Sequence, residues 1–206
     1  MTLFEKQRDG AQTAVPQTHP HADESGWIAQ ARAGSQHAWL HLVRAHQTAV
    51  YRLAYLLLGD AAEAEDVAQE AFVRAYLALD RFDETRPLRP WLLQITRNQA
   101  SNRRRSLGRY WANLKRLWEK EPDMGVAQPP HHARTDARLL WQAVQKLPPK
   151  GQEIVYLRYF LEMSEVETAV VLDIPAGTAK SRLSRALSQL RGVIERDFPE
   201  LRELGD

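Results

Sequence analysis

The sequence predicts an all-α protein made of two small helical domains joined by a flexible linker. Apolar residues recur at helical spacing in several windows, and no stretch shows the sustained alternation of a β-strand. Between these windows, residues 121–133 hold three prolines and one glycine, which is typical of an extended connection between domains. A chain of 206 residues with 44% hydrophobic composition is long and apolar enough for such cores.

Composition excludes several classes of protein. The chain has no cysteine, which excludes disulfides, thiolate catalysis and cysteine-based zinc sites. No run approaches the roughly 20 apolar residues that span a bilayer, and the N-terminus is too polar for a signal peptide. We therefore predict a cytoplasmic location without membrane insertion. The formal net charge of +2 is too small to indicate nucleic-acid binding by itself.

The first domain is predicted at residues 26–106, after a flexible N-terminal tail at 1–25. A short helix begins near Trp27 and ends at Gly34, and Ser35 is placed to cap a second helix that Gly59 ends. Asp60, followed three residues later by Glu63, resembles the capping box of a third helix. That helix has an apolar stripe from Ala64 to Leu79, and its opposite face begins acidic.

A cationic helix is predicted to follow, starting at Pro90. Trp91, Leu92 and Ile95 recur at helical spacing and form its apolar face. Arginines suit phosphates, amides suit base edges and an indole suits base stacking, so this helix has the residue types of a nucleic-acid site. The alternative is an ordinary solvated basic helix. The candidate contact residues are Trp91, Arg97, Asn98, Asn102, Arg104 and Arg105.

The predicted linker, residues 107–134, begins with an apolar stripe of its own. Leu107, Trp111, Leu114 and Trp118 lie at helical spacing within a basic run. We hypothesise that this stripe packs the two domains together or accepts an inhibitor protein, since two indoles on one face favour an interface. The alternative is a local extension of the cationic helix.

The second domain is predicted at residues 135–196, with a C-terminal tail at 197–206. Pro148 and Pro149 separate two apolar stripes, and a short helix at 164–172, a turn at 173–175 and a long helix from 176 to 194 follow. These proportions are those of a helix-turn-helix, although an exposed helix of a plain bundle is the alternative. The candidate duplex contacts are Thr178, Lys180, Ser181, Arg182 and Arg185.

Nothing in the sequence favours an enzyme. Glu63, Asp66 and Glu70 crowd together, but no nucleophile, phosphate-binding loop or metal triad accompanies them. His37 and His41 stand one helical turn apart without a third ligand, which favours two surface histidines over a metal site. We predict no catalytic residue, no cofactor and no bound metal.

Three ordered blocks resemble bacterial RNA polymerase sigma factors of the sigma-70 family, extracytoplasmic-function (ECF) subfamily. They are residues 64–72 (Ala-Glu-Asp-Val-Ala-Gln-Glu-Ala-Phe), residues 90–98 from Pro-Trp-Leu to Arg-Asn, and residues 177–186 (Gly-Thr-Ala-Lys-Ser-Arg-Leu-Ser-Arg-Ala). Together the blocks cover most of residues 26–194. Asn102, Arg104 and Ala179 depart from the usual residues of the family, which bears on promoter specificity.

The resemblance implies a role for each block. Residues 26–106 would be sigma region 2, whose Asp66, Gln69 and Glu70 dock on core RNA polymerase. The candidate residues of the cationic helix would hold the melted minus-ten strand. Residues 135–196 would be sigma region 4, whose helix-turn-helix reads the minus-thirty-five duplex. An anti-sigma factor is the further partner expected.

Two other functions remain as alternatives on the sequence. One is a helix-turn-helix transcriptional regulator that binds duplex DNA only, and the other is a helical adaptor whose basic stretches are simply solvated. An acidic docking helix together with a cationic helix for single strands is a combination that only a sigma factor needs.

Overall fold

The computed structural model describes residues 20–115 and 135–204, with side chains at 24–106 and 137–201. The described residues contain α-helices and no β-strand, which confirms the predicted all-α class. The helices are α1 (Pro20–Arg32), α2 (Gln36–Leu58), α3 (Ala61–Ala78), α4 (Leu88–Lys115), α5 (Thr135–Gln145), α6 (Pro149–Val155), α7 (Glu165–Leu172) and α8 (Ala176–Asp197). We call α1–α4 the N-terminal half and α5–α8 the C-terminal half.

The predicted helix caps form at the start and end of α2 and at the start of α3. The Ser35 hydroxyl accepts a hydrogen bond from the Ala38 N–H at 3.3 Å, and the Asp60 carboxylate accepts one from the Glu63 N–H at 2.9 Å. Gly59 ends α2 in the left-handed conformation, with φ at 78°, which a residue without Cβ adopts at little steric cost. Local sequence signals therefore set these boundaries.

Three boundaries differ from those that the sequence predicts. Helix α1 begins at Pro20, within the predicted N-terminal tail. Helix α4 begins at Leu88 rather than Pro90, because a proline is tolerated throughout the first turn, where no intrahelical partner awaits its N–H. Helix α4 also runs on to Lys115, which agrees with the alternative of a local extension of the cationic helix into the linker. At the C-terminus, Phe198 is buried after α8, and a 3₁₀ turn at Pro199–Leu204 replaces the predicted tail.

The N-terminal half is a bundle in which α2, α3 and α4 pack against one another. Leu42, Val50 and Leu53 of α2 are buried against Leu92 and Leu93 of α4 in one cluster. Helix α3 instead contributes small side chains, a stripe of buried alanines that allows close approach of its neighbours. The buried alanines of α3 are Ala64, Ala68, Ala71 and Ala75.

The C-terminal half is built around α6, α7 and α8. A π-helical turn at Tyr156–Phe160 continues α6 and places Tyr156 and Phe160 against Trp141 of α5, with ring centroids 5.7 and 5.5 Å away. Beneath the amino-terminal turns of α8, Ala179 and Ala186 are almost completely buried. The opposite side of α8 is thereby turned outward.

The two halves also pack against each other, an arrangement that the sequence does not predict. Helix α4 lies against α7, and one apolar cluster includes buried residues of both halves. The stripe of Leu107, Trp111, Leu114 and Trp118 lies outside the side chains that the structure describes, so the hypothesis about it stays untested. Among the described residues, contacts that join the two halves come from the amino-terminal part of α4 and from α2, which meets the π-helical turn.

Candidate nucleic-acid interface

The first turns of α8 present the predicted duplex-contact residues. Lys180, Ser181 and Arg185 are exposed, and Thr178 and Arg182 are half-buried beside them. The Ser181 hydroxyl donates to the Thr178 carbonyl at 3.1 Å, and the Arg185 guanidinium donates to the Ser181 carbonyl at 3.2 Å. These bonds order part of the surface before any ligand arrives. The structure thus brings all five predicted residues onto one cationic end of α8.

Helix α7 and the turn after it hold α8 in place. A capping box starts α7: Ser164 Oγ accepts from the Glu167 N–H at 3.2 Å, and Glu167 Oε2 accepts from the Ser164 N–H at 2.8 Å. Asp173 ends α7 in the left-handed conformation with φ at 54°, a region that aspartate tolerates better than most residues. A short helix, a tight turn and an exposed second helix form the helix-turn-helix predicted from the sequence.

Lys150 is a cationic residue of this surface that sequence reasoning missed. It lines a groove of about 260 Å³ together with Arg182, Arg185 and Gln189. The groove lies between the start of α6 and the exposed side of α8. The only sequence signal was the adjacent proline pair, which places Lys150 in the first turn of a helix. No acidic residue lines the groove, so it suits a phosphate group.

The predicted single-strand residues of α4 divide between two faces. Asn98, Asn102 and Arg105 are exposed, and the Arg105 guanidinium donates to Asn102 Oδ1 at 2.6 Å. Arg97 and Arg104, seven residues apart, share a different face that is half-buried against the C-terminal half. The structure therefore does not bring the six residues together on one surface.

Trp91 lies at the start of α4, in the wall of a cavity of about 400 Å³. Its ring packs on Phe82, with centroids 4.8 Å apart. The segment before α4 also lines this cavity. Within it, the Asp83 carboxylate accepts hydrogen bonds from the hydroxyl and the N–H of Thr85. These bonds, the hydroxyl bond above all, lower the pKa of Asp83. Arg32 anchors the same segment by donating to the carbonyls of Leu79 and Phe82.

The acidic face of α3 carries Asp66, Gln69 and Glu70, all exposed as predicted for a docking surface. Arg103 of α4, which the sequence analysis did not single out, donates to Glu63 and to Asp66. The bond to Glu63 is the main cause that raises the pKa of Arg103. The carboxylate of Asp66 is thus partly paired within the chain, across a groove between α3 and α4.

Local packing explains His37, His41 and His46. Trp27 stacks on His41 with centroids 4.4 Å apart and tilts against His37 at 5.7 Å, while His46 bonds Glu24 at 2.7 Å. Among the described side chains, no group of three or more histidines and carboxylates is placed to hold a metal ion. Within residues 20–115 and 135–204, no helix has the length and apolar character to cross a membrane.

Comparison with known proteins matches both halves of the chain. Residues 42–110 match the family model Sigma-70 region 2, and residues 137–190 match Sigma-70, region 4. The ECF RNA polymerase sigma factor SigW of Bacillus subtilis (strain 168) is 34% identical over 80% of this chain and 92% of its own length. The RNA polymerase sigma factor CnrH of Cupriavidus metallidurans is 31% identical over 82% of this chain and 93% of its own.

A solved structure also matches over most of the chain. The structure of CnrH in complex with the cytosolic domain of CnrY superposes with a TM-score of 0.62 and 27% sequence identity. The match covers 84% of this chain and 98% of that one.

Proposed function

Because this chain belongs to the extracytoplasmic-function group of the sigma-70 family of RNA polymerase sigma factors, we propose that three of its surfaces divide the work of promoter recognition. A sigma factor directs core polymerase to specific promoters. The acidic face of α3 binds core polymerase, α4 holds the melted minus-ten strand, and the first turns of α8 read the minus-thirty-five duplex. Residues 26–106 and 135–196 are the two functional domains in this proposal.

The observation that carries the proposal is the cationic end of α8. Lys180 and Arg185 are exposed on a helix that has no acidic residue from position 176 to 191, and α7 with its capping box supports that helix from behind. Such a surface fits the major groove, where arginine and lysine reach base edges and phosphates. Lys150 adds a phosphate contact at the edge.

The surface on α3 supports the second part of the proposal. Asp66, Gln69 and Glu70 project from a helix whose other side is buried in the bundle, so they form a rigid acidic patch. A patch of this kind pairs with basic residues of a partner. A regulator that binds duplex only would need neither this patch nor a cationic α4, and the region 2 match therefore disfavours that alternative.

The remaining parts of the proposal concern partners and location. The solved structure of CnrH contains the cytosolic domain of CnrY, and we infer that an anti-sigma protein likewise binds this chain. The chain acts in the cytoplasm, where polymerase and promoter meet. It lowers the cost of strand opening by binding and performs no chemical step of its own.

Transcription with purified core polymerase tests the proposed function. We expect initiation from a defined start site only when this chain is added. Mapping transcript starts after overproduction of the chain in cells supplies the promoter to use. Absence of promoter-dependent initiation, with a folded chain present, contradicts the proposal.

Two arginine variants test the division of labour. Arg182→Ala should weaken duplex binding, because it removes a cation from the α8 surface. Arg104→Ala should leave closed-complex binding nearly unchanged and slow strand opening. The charge-matched control is Arg44→Ala, which is exposed on α2, a helix that carries none of the three proposed surfaces. Equal effects of Arg182→Ala and Arg104→Ala on both steps would exclude the assignment.

A further inference from the structure

A single arginine at the end of α1 holds the segment that follows α3. The Nε atom of Arg32 donates to the Leu79 carbonyl at 2.9 Å, and its Nη2 atom donates to the Phe82 carbonyl. The third nitrogen, Nη1, pairs with the carboxylate of Glu84. A guanidinium is planar and its donors are fixed relative to one another, so this side chain also fixes the relative positions of the three groups that it bonds.

The two carbonyls lie at a helix end, where they most need a donor from elsewhere. A 3₁₀ turn at Leu79–Arg81 ends α3, and the last carbonyls of a helix have no partner within it. A cation at this end also opposes the negative pole of the helix dipole. Bonds from Thr85 and Arg86 to Asp83 order the following turn, but they lie within the segment and do not attach it to the bundle. Arg32 provides an attachment of that kind.

Helix α1, which carries Arg32, is itself fixed to α2. Ile28 and Ala31 are buried in the same apolar cluster as the core residues of α2. The Trp27 ring stacks on His41 of α2, with ring centroids 4.4 Å apart. Arg32 therefore extends from a well-packed helix, and α1 links α2 to the segment after α3.

This segment forms one wall of the cavity beside Trp91. Phe82 and Trp91 line the cavity together with Gln94, and two exposed arginines of the segment, Arg81 and Arg86, lie at its edge. The remaining lining residues belong to α7. A base that leaves the stack needs a pocket with an aromatic ring to stack on, and cations beside it hold the backbone. The N-terminal half supplies both kinds of group at this cavity.

The bond from Arg32 reaches the residue whose ring shapes the cavity. Arg32 donates to the carbonyl of Phe82, and the ring of the same Phe82 packs on Trp91 with centroids 4.8 Å apart. A shift of this carbonyl moves the Cα atom and hence the ring. The position of the ring relative to Trp91 thus depends on a side chain that does not line the cavity.

We propose that Arg32 is a positioning residue for the melted minus-ten strand, which sets the shape of the cavity beside Trp91 and thereby its preference for one base. The inference rests on the proposed function and deepens it. Arg32 makes no contact with DNA in this account. It acts through the backbone of Phe82, and α1 thereby becomes part of the structure that reads the minus-ten element.

Initiation by the full chain with core polymerase tests the inference. The templates are the mapped promoter and variants with single-base changes at each minus-ten and minus-thirty-five position. Arg32→Lys keeps the positive charge and removes the fork of donors. A wrong base in a recognition site typically costs on the order of tenfold in affinity, and we expect Arg32→Lys to reduce this penalty to about twofold at the position that the cavity reads.

The penalties at the other positions decide whether the effect is local. We expect them to stay within about twofold of the wild-type values, because the α8 surface and the rest of α4 are unchanged. An Arg32→Lys chain that initiates with the wild-type base preference at every minus-ten position overturns the inference. Failure of the proposed function is a different result, namely no promoter-dependent initiation by the wild-type chain.

Two control variants separate positioning from stability and from charge. Gly59→Ala destabilises the same half through the end of α2, away from the segment after α3, and it should leave the base preference unchanged. Glu84→Gln removes the ion pair and keeps both carbonyl bonds, so it should also keep the preference. If either control weakens the preference at the same position as much as Arg32→Lys does, the inference is wrong.

Discussion

Gly151→Ala should stabilise the chain, whereas Gly59→Ala should destabilise it. Gly151 is a helical residue of α6, where an alanine restricts the unfolded chain and favours the helix by about 0.5–1 kcal/mol. The new Cβ would lie 3.6 Å from the Cβ atoms of Ala186 and Leu147, which is ordinary van der Waals contact. We therefore expect the free energy of unfolding to rise by about 1 kcal/mol.

The change at Gly59 has the opposite sign because of its backbone. With φ at 78° the residue is left-handed, and an alanine Cβ there costs roughly 1–2 kcal/mol. Gly192→Ala is the matched control: it lies within α8 and its Cβ would meet nothing within 4 Å, so it isolates helix propensity from contact.

Urea unfolding of the full chains, followed by tryptophan fluorescence, measures these differences as shifts in midpoint at constant slope. If Gly151→Ala destabilises the chain while Gly192→Ala stabilises it, the α6–α8 contact is tighter than described, and the reasoning from the 3.6 Å distances is refuted.

Three further predictions concern a helix cap, an arginine fork and a buried phenol. Ser164→Ala should lower the free energy of unfolding by about 1 kcal/mol, because the side chain that caps α7 is lost. Ser164→Asp should retain most of that stability, because aspartate also caps a helix. Equal losses in urea titrations of the two variants would contradict this prediction. Arg32→Lys should destabilise by about 1 kcal/mol, since the donors of an ammonium share one atom and cannot replace the separate guanidinium nitrogens that bond the Leu79 and Phe82 carbonyls; a wild-type urea midpoint would rule out that role. Burial raises the pKa of Tyr156 to about 12, so the stability contributed by its neutral phenol is complete below the unfolded pKa of about 10 and is lost as pH rises toward 12. The wild-type chain should therefore lose free energy of unfolding relative to Tyr156→Phe between these two pH values. Parallel plots of unfolding free energy against pH for the two chains would disprove the prediction.

The helices of each half were predictable because their signals are local. Ser35, Gly59 and Asp60 sit beside apolar stripes of helical period, and the structure places caps at these positions. The start of α1 was harder to predict, because the polar residues after Pro20 carry no apolar period of their own. Neighbouring side chains hold them instead, as the bond between His46 and Glu24 illustrates.

The interface between the halves could not be predicted from the sequence. Arg97 and Glu153 are separated by 56 positions, and nothing in the pattern of either helix indicates the other as a partner. Their seven-residue spacing places Arg97 and Arg104 on one face of a helix, but the sequence does not show which other helix packs against that face. The duplex-contact surface was easier to predict from the sequence, because its five residues lie on consecutive turns of a single helix.

The alanine stripe of α3 has a consequence for which amino-acid changes the protein can accept. Ala64, Ala68, Ala71 and Ala75 have almost no side-chain volume to lose, so the usual core lesion, a cavity, cannot arise there. Substitutions at these positions destabilise the bundle by overpacking instead, since any added methylene forces α2 or α4 outward. In a library of random variants selected for stable folding, the volume of the side chain rather than its polarity should decide which residues are accepted at these four positions. Serine and glycine should therefore be accepted where valine is not.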